Sequence, residues 1–157
     1  MKRGFGALAA ALGIATASTA FAHHSHPLVY DWCKSIMVEG RVGRVEYKNP
    51  HSIILVTQDD GRAYTVDWLA LDGLTRNGLL ESAKGSLAFG ARVSVIGAPI
   101  RTAAEMRGLF PDFTGEVNPN TIDPWLIRRV GDTFSWAVAS QLPDPAKCAG
   151  VFRTPAR

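Results

Sequence analysis

The sequence has 157 residues, 17 of them basic and 14 acidic, with four histidines and two cysteines. Two of the bases sit in the first three residues, so the remainder is close to neutral and leaves no positive footprint for nucleic acid. A chain of this size suits one domain and can bury a core without a structural metal or several disulfides.

The chain opens Met1-Lys2-Arg3, residues 4–20 carry no charge, and Ala20-Phe21-Ala22 supplies the small residues of an A-x-A cleavage site. A basic start, an apolar middle and this ending, in that order, predict a secretory signal over residues 1–22. An uncleaved anchor is the alternative, but it needs about 20 strongly apolar residues to cross the hydrocarbon, and this stretch is short and rich in Ala, Gly and Thr. Removing 22 residues of 157 leaves 135, with 15 basic against 14 acidic. The expected product is periplasmic, not transmembrane after processing, and begins His23-His24-Ser25-His26-Pro27.

Residues 23–36 read as an ordered N-terminal arm containing Tyr30, Trp32 and Cys33, and regular structure is expected from Met37. Val38, Gly40 and Val42 share one alternation phase while Val45 and Tyr47 lie in the other, which predicts a β-bulge at Gly43. Asn49-Pro50 punctuates the chain. The β-branched run Ile53-Ile54-Leu55-Val56 is too short for a helix and reads as a strand covered on both faces. Asp59-Asp60-Gly61 predicts a hairpin turn, after which Tyr64, Val66 and Trp68 alternate with Ala63, Thr65 and Asp67. Leu71, Leu74, Leu79 and Leu80 predict one short helix, weakened by Gly73 and Gly78. Residues 91–96 return to alternation, and residues 126–130 pair with 133–138 across Gly131-Asp132. Between them, 101–124 reads as a long loop whose Leu109, Phe110 and Phe113 are candidates for docking a protein partner or a small ligand. Residues 143–157 form an irregular tail. Strands, a short helix, then further strands over 37–142 predict a mostly β, OB-like, partly open barrel, with a small β-sandwich as the alternative.

Cys33 and Cys148 lie near opposite ends of the mature chain. In an oxidising compartment such a pair forms a disulfide, constraining the unfolded chain by about 4–5 kcal/mol on entropic grounds. A metal or redox pair is the alternative, without a C-x-x-C spacing to favour it.

All four histidines fall between positions 23 and 51, and three belong to the first four mature residues. Such a cluster points to metal binding. A free α-amine with the imidazole of His23 forms a chelate, and His24 offers amine, backbone amide and imidazole instead. Nitrogen-rich sets of this kind suit Cu(II). His26 and His51 are further candidate ligands, with His51 able to complete the shell if the arm folds back over the Asn49-Pro50 turn. A solvated tail and a turn-capping His51 are the competing readings.

No nucleophile elbow, H-E-x-x-H or phosphate-cradling Gly loop is present, so an enzyme ranks behind a metal-binding or interaction module. Asp67, Asp72, Glu81 and Asp123 read as surface solvation, and Trp68, Trp125 and Trp136 as core.

Ala22-His23-His24-Ser25, Gly40-Arg41-Val42, Asn49-Pro50-His51 and Val93-Ser94-Val95-Ile96-Gly97, in that order, resemble the short exported bacterial proteins of domain of unknown function 6152. The resemblance covers about residues 22–97. It implies a periplasmic β-barrel-like domain without an established activity. Cys33, Cys148 and the 101–124 segment depart from the family's compact pattern. The sequence thus points to an exported OB-like domain whose leading activity is copper or similar metal binding through His23, His24, His26 and His51, with a non-metal interaction or ligand-binding module as the alternative.

Overall fold

Alternation of small and β-branched residues builds the first strand, β1 (Ile36–Glu46), whose Val38, Gly40 and Val42 point inward. The computed structural model describes residues 26–138 and Cys148. The expected signal over 1–22, His23 and His24, and the tail apart from Cys148 lie outside the described residues. The phase change expected at Gly43 is present: Val42 pairs with Val56 but Arg44 with Leu55, so one residue is extra on β1.

β2 (Ser52–Thr57) and β3 (Ala63–Trp68) continue the antiparallel meander, with Ser52 opposite Trp68 and Ile54 opposite Val66. Ser52, Ile54 and Val56 are buried and their alternates only half-covered, so β2 has one core face rather than the two expected. β4 (Arg92–Pro99) pairs with the other side of β1, and β5 (Thr121–Arg129) with β4. A short parallel contact, Thr65 with Thr121 and Val66 with Ile122, closes the five strands into a mixed barrel. β6 (Ser135–Ala137) extends β5 as an edge. Val38, Val42, Ile54, Val66, Val93 and Ile127 fill the interior, with Trp68 and Trp136 at one end.

Two regions differ from expectation. The single helix expected after β3 is a pair, α2 (Leu71–Arg76) and α3 (Leu80–Ser86), because Gly78 adopts φ +66° between them and ends the first. The 101–124 segment is not a plain loop. It carries α4 (Ala103–Leu109), started by a capping box in which Thr102 accepts from the Glu105 amide while Glu105 accepts from the Thr102 amide. It ends in the first residues of β5.

The arm begins with α1 (His26–Val29) and runs along the outside of β4 and β5. Tyr30 bridges to Ile100, the Asp31 amide donates to the Pro99 carbonyl, and the Arg101 amide donates to the Val29 carbonyl. Tyr30, Ala98 and Trp125 form a second apolar cluster with Val29 and Trp32 packed against it. Cys33 is bonded to Cys148, as the pairing argument expected.

Candidate functional site

The site forms where the barrel seam opens beneath the arm. Val66 and Ile122 are paired across the seam and point into the core, so strand alternation turns the following residues, Asp67 and Asp123, to the opposite face. Both carboxylates therefore lie under residues 26–32. Asp123 is only 8 % exposed, and a buried carboxylate needs hydrogen-bond donors around it.

The donors come in matched sets. Asp67 accepts from His51 Nδ1 at 2.6 Å through Oδ1 and from the Tyr30 hydroxyl at 2.6 Å through Oδ2. Asp123 accepts from His26 Nδ1 at 3.2 Å through Oδ1 and from the Trp32 indole at 2.8 Å through Oδ2. Three of these donors sit on the arm and both carboxylates on the barrel, so the network also fastens one to the other. An ionised carboxylate only accepts, which places a proton on Nδ1 of each imidazole and leaves Nε2 as the nitrogen not engaged by the carboxylates. The two rings face each other with centroids 4.9 Å apart and planes 34° from parallel, and His26 also lies 5.7 Å from the Tyr30 ring.

The charges act on both arm residues. The hydrogen bond to Asp123 holds the His26 imidazole above its ordinary range despite the opposing effect of burial, and the charges of Asp123 and Asp67 add to it. Burial, with the Asp67 charge and hydrogen bond and the more distant Asp123, pushes the Tyr30 phenol far above its ordinary range, so Tyr30 remains a donor.

A cavity of about 340 Å³ opens beside the imidazoles, walled by Trp32, Trp68 and Trp136 and by Pro50 and Pro124. Trp68 and Trp136 meet edge to face, with centroids 5.6 Å apart and 77° between planes. The Ser52 hydroxyl and Trp68 indole N–H, on a cross-strand pair at this end, have no hydrogen-bond partner among the described residues.

Of the four histidines singled out by sequence, His26 and His51 are brought together, while His23 and His24 lie outside the described residues. Among the described residues no group of three or more His, Cys, Asp or Glu is arranged to hold a metal ion unaided. Asp67 and Asp123, expected as surface solvation, are instead the centre of the network. Their signal was an acid inside each of two β-rich apolar runs, where Asp is normally depleted. Trp68, Trp125 and Trp136 are buried as expected, Trp125 in the arm cluster and the others at the cavity. Leu109 and Phe110, at the end of α4, are 36 % and 39 % exposed, and Phe113 is half-buried.

The chain belongs to the family of unknown function DUF6152, which matches residues 11–109. That match extends beyond the 22–97 resemblance and takes in α4. No curated protein matches the sequence. A solved structure similar to the chain is the OBody AM3L15 bound to hen egg-white lysozyme, at 19% identity over 71% of this chain and 87% of that one, with a TM-score of 0.42. Among the described residues no helix is long and apolar enough to cross a membrane.

Proposed function

We propose that this family member is an exported metal-binding module that takes copper, or a similar nitrogen-preferring ion, through His26 and His51 with His23, His24 and the mature amino terminus. One observation carries the reading: two imidazoles 25 positions apart in sequence face each other at 4.9 Å, each with Nδ1 committed to a carboxylate. Metal-binding histidines characteristically donate their second ring N–H to a carboxylate, which fixes the tautomer and makes the free nitrogen more basic. Asp67 and Asp123 are placed to do this for both rings.

Two imidazole nitrogens are an incomplete shell. His23 and His24 precede His26 by three and two residues, and the free amine adds another nitrogen after cleavage. The resulting set is rich in nitrogen and suits the tetragonal preference of Cu(II). The signal pattern supports export, and the Cys33–Cys148 bond is of a kind kept in oxidising compartments. The alternative, a metal-free module docking a protein partner, draws on the exposure of Leu109 and Phe110.

The test is a Cu(II) titration of correctly processed protein against a competing chelator. Affinity should fall at least about tenfold when His26 and His51 are both changed to Ala. Wild-type binding no tighter than that of a free His-His-Ser-His peptide would remove the site.

A further inference from the structure

The cavity beside the imidazoles has chemistry that the metal reading does not use. Its deeper wall is aromatic, with the indoles of Trp68 and Trp136 forming a corner at 77° and Trp32 supplying a third. Four titratable groups line the space: the Asp67 and Asp123 carboxylates and the His26 and His51 imidazoles. Each carboxylate oxygen accepts one donor and retains a second lone pair.

Indole faces carry negative potential and attract a cation without ligating it through lone pairs. Perpendicular indoles present that potential from two directions, while the nearby carboxylates favour positive charge throughout the cavity. A strongly hydrated ion gains little from proline and indole walls, whereas a weakly hydrated organic cation buries its methyl groups there. The volume, about 340 Å³, matches roughly eleven water molecules. It therefore admits a small quaternary ammonium and excludes a bulky amphiphile.

We infer that the cavity between the arm and the barrel seam is a binding site for a small organic cation of the quaternary ammonium class, seated in the Trp68–Trp136 corner opposite Asp67 and Asp123. The inference stands apart from metal binding, because its contact residues are the indoles rather than the imidazoles.

The test uses the processed, metal-free full chain, titrated with choline and followed by calorimetry and tryptophan fluorescence. The comparison ligand is the neutral isostere of choline, in which a tert-butyl group replaces the trimethylammonium. Choline should bind with a dissociation constant of about 1 mM or tighter, and the isostere about tenfold more weakly. This comparison needs no variant. Trp136→Ala should weaken choline binding about tenfold, and Trp136→Phe less, as its smaller ring keeps a weaker face. Phe89→Ala, on a remote and strongly exposed side chain, should leave choline binding unchanged. Equal binding of the two ligands, no saturable choline binding, or indifference to both Trp136 variants would overturn the inference. Choline binding retained in a His51→Ala protein that no longer takes Cu(II) would uphold it and separate it from the metal reading.

Discussion

His51 Nδ1 lies 2.6 Å from Asp67 Oδ1, a contact between the mouth of β2 and the outer face of β3. The neighbouring ladder pair, Ser52 with Trp68, holds this end of the two strands in register, so the imidazole is oriented by the sheet rather than by a loop. Asp67→Asn keeps the shape but removes the charge that orients and enriches the ring. Copper affinity is expected to fall about 10–100-fold with little loss of fold, as read by chelator competition and circular dichroism. Unchanged affinity would separate Asp67 from the metal.

The Tyr30 hydroxyl joins the arm to the same carboxylate at 2.6 Å, and Tyr30 is buried. Tyr30→Phe keeps the ring packed on Trp125 and Ala98 but strips one donor from a partly buried charge. We expect a loss of about 1.5–3 kcal/mol in equilibrium urea unfolding. A change below a few tenths of a kcal/mol would mean that water replaces the hydroxyl.

His26 titrates above its ordinary value because Asp123 accepts from it. A group whose folded value is raised contributes stability in full below the ordinary imidazole value, about 6.5, and loses it as pH rises through the folded value. The metal-free protein should therefore lose this contribution on going from mildly acidic to alkaline solution, and His26→Ala should flatten that slope. Copper binding should show the opposite trend, since protons and metal compete for the same imidazole. Thermal melts across this range, with and without Cu(II), report both slopes.

Gly97 sits at the irregularity where β4 meets Pro124. A methyl group there would collide with the Asp123 carbonyl and the Ile122 side chain. Gly97→Ala should cost about 1–3 kcal/mol through overpacking and disturb the Asp123 side of the site. Denaturant melts and copper affinity measured together should both fall. A protein of unaltered stability would show that the seam yields.

Much of the barrel was legible because period-two alternation in β1, β2 and β3 is set by burial, and the Gly43 bulge left its trace as a phase change. The two cysteines were matched by elimination, since an oxidised pair has few alternatives. The α4 helix was missed although Thr102-Ala103-Ala104-Glu105 is a capping-box sequence; Gly108 and the prolines that follow masked it. Residues 71–86 were merged into one helix because leucine spacing runs across Gly78 without registering its positive φ. The acids of the site were misjudged for a deeper reason. Asp67 and Asp123 are 56 residues apart, and only the short parallel contact that closes the barrel makes them neighbours. His26 and His51 were nominated by residue type, while the carboxylates that orient them depended on topology.

The central claim is that His26 and His51 ligate one ion through Nε2 while their Nδ1 atoms stay with Asp123 and Asp67. Nitrogen NMR of histidine-labelled, correctly processed protein, titrated with diamagnetic zinc as the probe, reads both atoms of each ring. The account predicts that Nε2 of His26 and of His51 shifts in step, saturating at one equivalent, with both Nδ1 signals held in the protonated range. Shifts confined to His23 and His24, or loss of the Nδ1 protons on binding, would contradict it.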